Sequence, residues 1–141
     1  MKINFTSFEK ALQQLEKSIA YLNSQQSQDD VGLHEQFRSA VIQVFEYSFE
    51  LSWKFLKRHL EMVAGESDVD TFSKKELFRV GFEQGLLKNS QTWFEYLAAR
   101  NQTAHTYDAH SAEEVCAIAQ QFVGDAKTLL GVLKQKTEND D

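Results

Sequence analysis

Proline is absent from the 141 residues, and glycine occurs only six times. Average usage would place roughly seven prolines in a chain of this length. Their scarcity removes the turn chemistry of a many-stranded fold and leaves a chain able to run in long helices. The single cysteine, Cys116, has no second thiol for an internal disulfide or a zinc site. At helical spacing inside EEVCAIAQQF it reads as a small buried filler. No apolar run approaches the roughly 18 residues of a membrane span, and MKINFTSFEK lacks the charged-then-apolar order of a signal peptide, so a cytoplasmic protein is expected. Basic charge is also short. Fifteen Lys+Arg against 21 Asp+Glu leave a net charge of −6, which argues against coating long nucleic acid by charge while leaving room for a local basic pocket.

What is present is helical periodicity over a length that suits one domain spanning residues 1–141. Phe8, Leu12, Leu15, Ile19 and Leu22 form one apolar stripe, with Thr6 or Ser7 placed to cap its start. The polar NSQQSQDD, residues 23–30, reads as a loop. From Val31 to Ala64, apolar positions recur at helical spacing and Gly65 supplies a stop, giving a spine about 50 Å long. Within it FEYSFELSWKF crowds Phe45, Tyr47, Phe49, Trp53 and Phe55 together, too many for one stripe, so a second buried face against another subunit is expected. Ser73-Lys74-Lys75-Glu76 has the capping-box pattern ahead of Leu77 and Val80, and Ser90 is expected to cap a short helix with Trp93, Phe94 and Leu97. Ser111 and Glu114 form another capping box before a last long helix with Val115, Ile118, Phe122, Leu129 and Leu133, and the acidic KTENDD tail is expected to fray. Together these predict an all-α fold, an antiparallel four-helix up-and-down bundle with one extra short helix.

The densest chemistry lies in Arg100-Asn101-Gln102-Thr103-Ala104-His105-Thr106-Tyr107. On a continuous helix Asn101 and His105 share a face at i,i+4, and Arg100 has a side chain long enough to reach round to the imidazole. A guanidinium grips phosphate with two parallel hydrogen bonds and a histidine moves protons near neutral pH, so the set suits phosphodiester chemistry. The plainer reading is an arginine complementing a helix C-terminus and a histidine bonded at an interface. Asp108 and His110 follow closely, but no second acidic motif stands at ligand spacing, so no metal site is assigned. On the spine Glu46 and Glu50 stand at i,i+4, with Lys54 continuing the row. Two carboxylates so placed repel unless a cation or substrate sits between them. Either the row is a solvated face with a Glu50–Lys54 ion pair, or Glu46 or Glu50 faces Arg100 or His105 across the bundle and orients them. His59, with Lys57 and Arg58, reads as a basic surface.

FEYSFELSWKFLK, WFEYLAARNQTAHTYD and the overall length resemble the HEPN superfamily, in its branch of nucleotidyltransferase substrate-binding proteins, over essentially the whole chain. The hallmark arginine-to-histidine spacing is met by Arg100 and His105, the polar residue after the arginine by Asn101, and the tyrosine two beyond the histidine by Tyr107. The resemblance implies a helical bundle that forms homodimers and works beside a separately encoded minimal nucleotidyltransferase. That partner would hold the nucleotide and Mg, leaving no cofactor in this chain. In the first reading the helical subunit binds the substrate, with Glu46, Glu50 and Lys54 as candidate binding residues. In the second it is a metal-independent ribonuclease toxin using Arg100, Asn101 and His105 on RNA, neutralised when the partner transfers AMP to Tyr107. A third reading is a non-catalytic helical adaptor in which Arg100 and His105 only hold a dimer together.

Overall fold

The computed structural model describes residues 3–140, and its regular elements are all helical. Six α-helices follow one another: α1 (Thr6–Leu22), α2 (Gln25–Asp29), α3 (Val31–Met62), α4 (Lys74–Glu83), α5 (Ser90–Gln102) and α6 (Ala109–Asp140), with 3₁₀ turns at Val69–Thr71 and Thr103–His105. Among the described residues no helix is long and apolar enough to cross a membrane.

Side-chain pairings give the topology. Phe8 of α1 stacks on Phe55 of α3, the Ala11 carbonyl accepts from Ser48, and Tyr21 stacks on Phe37, so one helix descends as the other rises. Lys134, Lys127 and Gln120 of α6 meet Glu9 and Glu16 of α1 and Asn23 at its C-terminal end in the same opposed order. Helices α3 and α6 therefore run parallel through the centre, with Glu113 beside Arg38 and Phe122 beside Phe45. On the far side Tyr96 of α5 donates to Asp125, and Thr103 lines a groove with Ala112. This places α5 antiparallel to α6. The bundle is thus α1, α3, α5 and α6 in up-and-down order. The Ser90–Gln102 helix expected to be the extra one is a leg of the bundle, and the short additions are α2 and α4.

The crowded spine is resolved inside the chain. Because α3 lies between α1 on one side and α5 and α6 on the other, both of its apolar faces are covered. Phe55 packs on Phe5 and Phe8, and Phe45 and Phe49 pack on Phe122. Only Tyr47 is largely exposed and Trp53 half-buried, so the aromatic count does not require a second subunit. His59 also faces inward and is buried, so the expected basic surface reduces to Lys57 and Arg58. Cys116 is buried as expected, and burial pushes its thiol up to about 12.

Several helix ends differ from the expected ones by a few residues. Ser73 caps α4, accepting from the Glu76 N–H at 3.1 Å, and Gly65 (φ +66°) closes α3 with the Glu66 N–H bonded to the Leu60 carbonyl at 2.9 Å, both in line with the sequence pattern. At the start of α1, however, the cap position is held by Phe5, which offers no side-chain acceptor. Thr6 and Ser7 are already helical, and Asn4 accepts the Thr6 N–H at 3.0 Å. Asn89, not Ser90, caps α5, and Asp108 takes the place of Ser111 by accepting the Ser111 N–H at 2.8 Å. At these two helix starts the earlier of two cap-forming residues takes the cap and the later one is helical. The 23–30 loop contains α2, because Ser24 accepts from the Ser27 N–H and Ser27 is buried. The tail is helical through Asp140, and Asp141 lies outside the described residues.

Asn89 accepts from the N–H groups of Gln91 at 2.8 Å and Thr92 at 3.3 Å. An Asn89→Ala variant should lose about 1 kcal/mol in urea unfolding, whereas Ser90→Ala should stay within about 0.5 kcal/mol of the parent chain.

Candidate functional site

Arg100 occupies the last turn of α5, and the residue that ends that helix also holds it. The Thr103 hydroxyl donates to the Arg100 carbonyl at 2.7 Å and accepts from Arg100 Nη1 at 3.2 Å. Thr106 donates in turn to the Thr103 carbonyl at 3.1 Å. These local bonds compete with helical continuation, and the chain tightens into the 3₁₀ turn. Helix α5 therefore stops at Gln102, and Asn101 and His105 do not share the i,i+4 face that a continuous helix would have given them. Both side chains are exposed, as is Tyr107 at 90%.

Across the bundle, Arg100 reaches α3. Its Nε lies 3.4 Å from Glu50 Oε1 and its Nη1 3.9 Å from Glu46 Oε2. The other Glu50 oxygen accepts the Trp53 indole N–H at 3.1 Å. A guanidinium between two carboxylates one turn apart relieves their repulsion, so the three side chains hold one another. Arg100 Nε is buried and within ion-pair reach of Glu50 without making a hydrogen bond.

Of the sequence candidates, Arg100, Glu46 and Glu50 come together. Asn101, His105 and Tyr107 lie along the exposed chain that follows, and no side-chain hydrogen bond ties any of them among the described residues. Lys54 belongs elsewhere. Its ammonium sits 5.8 Å from the Trp53 ring centroid and lines a groove against α1, and among the described residues Glu50 pairs with Arg100 instead.

Beside the triad, a groove of about 250 Å³ opens between α3, the 3₁₀ turn and the start of α6, lined by Arg38, Gln43, Glu46, Thr103 and Thr106 among others. Glu46 faces both Arg100 and this groove, whereas Glu50 is held by Arg100 and Trp53. Arg38 is anchored 3.3 Å from Glu113, whose Oε1 also lies 2.6 Å from His34 Nε2. Burial pushes the Glu113 carboxyl up, but the bonds to His34 and Arg38 outweigh it and hold the group below its ordinary value. Sequence reasoning missed Arg38, Gln43, Thr103 and Thr106. Following the Glu46–Glu50 row two turns toward the N-terminus passes Ile42 and reaches Arg38, which was the available signal. The groove presents donors from Arg38 and Gln43 against the Glu46 carboxylate, with the two threonine hydroxyls already donating to backbone carbonyls, a set able to bind a polar or phosphate-bearing molecule. Among the described residues no group of three or more His, Cys, Asp and Glu side chains is placed to hold a metal ion.

A family model described as nucleotidyltransferase substrate binding protein like matches residues 3–135. A relative from Haemophilus influenzae named Probable ribonuclease HepT is 29% identical over 142 residues, covering 99% of this chain and 97% of the relative. Among solved structures, one from Haemophilus influenzae is described as revealing the fold of a substrate binding domain of a nucleotidyltransferase. It superposes with a TM-score of 0.85 at 28% identity, covering 93% of this chain and 99% of that one. A structure from Thermus thermophilus gives a TM-score of 0.73 at 30% identity, over 89% of this chain and 98% of that one.

Proposed function

This chain belongs to the nucleotidyltransferase substrate binding protein like family, and from that premise we propose that it is the substrate-binding helical subunit of a two-component system, paired with a separately encoded minimal nucleotidyltransferase. The observation that carries the reading is the Arg100–Glu46–Glu50 triad at the rim of a polar groove. A receptor whose charged groups are already held by one another binds a ligand without first ordering them. Glu46, facing the groove, is the group we assign to contact the acceptor and take its proton. Glu50 positions Arg100. The nucleotide and Mg belong to the partner, and the subunit acts as a homodimer in the cytoplasm.

The test is co-expression with a neighbouring short reading frame that carries a Gly-Ser followed by spaced aspartates. The two chains should elute together on size exclusion. Incubation with ATP and Mg then separates the two readings: one AMP mass added to this chain and lost in Tyr107→Phe belongs to the ribonuclease reading below, whereas the substrate-binding reading expects the chain to stay unmodified. Failure of the chains to associate sinks the two-component reading, and AMP addition that persists in Tyr107→Phe removes that residue's role alone.

A second reading is supported by a specific observation. Asn101 and His105 are exposed beside Arg100 without side-chain hydrogen bonds of their own among the described residues, as expected of groups completed by a second protomer and by RNA. The similarity to a protein named Probable ribonuclease HepT supports the same chemistry, in which His105 moves the proton and Arg100 stabilises charge on the phosphate.

A further inference from the structure

The acidic net charge hides a face on which cations are left without carboxylates. A groove of about 450 Å³ between the start of α1 and the middle of α3 is lined by Lys10, Lys54 and Arg58, with Asn4, Thr6 and Ser7 adding neutral polar groups. Among the described residues no acidic side chain lines it. Lys54 of this groove also stands 5.8 Å from the Trp53 ring centroid, and Lys74 of α4 lies 5.1 Å from the same ring. Next along α4, Lys75 and Arg79 stand over Phe94 of α5 at 5.8 and 5.9 Å.

The distribution of ion pairs separates this face from the rest of the surface. Arg38, Lys57, Arg100, Lys127 and Lys134 each have a carboxylate within ion-pair reach. Among the described residues the cations with no such partner are the six on this face and three scattered ones, Lys17, Lys88 and Lys136. Unpaired cations set beside half-buried rings keep their charge available to an outside anion. The rings offer planar apolar surface at the same place.

We propose that this face of α1, α3 and α4, with Phe94, is a binding track for single-stranded nucleic acid. Phosphates would lie along the Lys10–Lys54–Arg58 groove and bases against the exposed parts of Trp53 and Phe94, where the flanking lysines and Arg79 meet the neighbouring phosphates. An acidic protein segment would satisfy the cations but would have no equivalent use for two flanked rings. The track abuts the site described above, because Trp53 donates to the same Glu50 that meets Arg100. A strand held on it is led toward Arg100. The proposal goes beyond the acceptor-binding role and requires neither cleavage nor the partner enzyme.

Fluorescence anisotropy with a labelled single-stranded 12-mer, as RNA and as DNA, tests it on the full chain across a series of salt concentrations. Both probes should bind, with affinity falling as salt rises. The Lys10→Gln, Lys54→Gln, Arg58→Gln triple variant should bind at least about tenfold more weakly, and its log–log salt slope should be shallower by about two. Phe94→Leu, which keeps an apolar group of similar size, should weaken binding about tenfold without changing the slope. A Lys17→Gln, Lys136→Gln variant, which loses cations elsewhere, should bind like the parent. Melting temperatures of the variants establish that each is folded. The proposal is overturned by absence of binding, by equal loss in the Lys17, Lys136 control, or by a slope change with no effect of Phe94→Leu, which would describe unspecific attraction to charge. Competition by inorganic tripolyphosphate as strong as by unlabelled oligonucleotide would overturn it too, in favour of a small polyphosphate site.

Discussion

Replacing Phe122 with alanine should destabilise the fold by about 3–5 kcal/mol, lowering its melting temperature by roughly 10–15 °C. Phe122 is fully buried on α6, and four rings from two other helices surround it. Phe45 and Phe49 of α3 lie at 5.2 and 6.2 Å between centroids, and Trp93 and Tyr96 of α5 at 5.7 and 5.3 Å. Three of the four meet it edge-on or nearly so, the arrangement in which the positive ring edge points at the negative face. The cavity left by alanine cannot collapse easily, because its walls are large rings anchored on two separate helices. Tyr96 is further fixed by donating to Asp125, and burial, followed by that bond, holds its phenol above the ordinary range. Phe122→Leu should recover much of the loss, since only part of the volume is removed. Thermal melts followed by circular dichroism and urea titrations measure both. A melting temperature of the alanine variant within about 3 °C of the parent would show that the ring cluster can close around the missing side chain.

Phe122 also shows what was legible in the sequence. Its inward position followed from the period of the α6 stripe, as did those of Val115, Leu129 and Leu133, and all four are buried. Its role as the meeting point of three helices did not, because periodicity assigns a residue to a face and leaves open what that face meets. The same limit explains the spine. Two apolar faces on α3 were correctly inferred, but assigning the second to another subunit presumed that one chain could not cover both. The cap assignments missed where Asn89-Ser90 and Asp108-Ser111 offered two competent side chains within a turn, a near-degenerate choice decided by backbone conformation. At the site, Arg100 and the Glu46–Glu50 row were visible as residue types at meaningful spacing, and the geometry selects the reading in which the row faces the arginine. The break after Gln102 was not visible. It depends on the Thr103 hydroxyl turning back onto the Arg100 carbonyl, a local bond that a threonine in a helical pattern can equally forgo.

That break makes His105, and not Arg100, the clean probe of the ribonuclease reading. Removing Arg100 leaves Glu46 and Glu50 facing each other one turn apart without their cation and also strips Thr103 of a donor. Loss of activity in Arg100→Ala would therefore mix chemistry with a loosened bundle end. His105 is exposed on the 3₁₀ turn, and its side chain makes no hydrogen bond among the described residues, so His105→Ala should melt within about 2 °C of the parent chain. If the chain cleaves RNA with His105 as proton donor or acceptor, the same variant should lose roughly 10²- to 10⁴-fold in cleavage rate, the usual contribution of a positioned acid or base. Arg100→Lys complements it by keeping the positive charge between the carboxylates while removing the two-pronged grip on phosphate, so it should stay folded and still lose about tenfold or more. Cleavage is measured with the purified chain alone, in chelator, on a labelled single-stranded RNA. Wild-type protein that leaves RNA intact under these conditions eliminates the ribonuclease reading, and cleavage that survives His105→Ala unchanged assigns the proton transfer to another group. A rate that falls while the melting temperature holds would separate the two roles at this corner, with Glu46 and Glu50 keeping Arg100 in place and His105 carrying the chemistry.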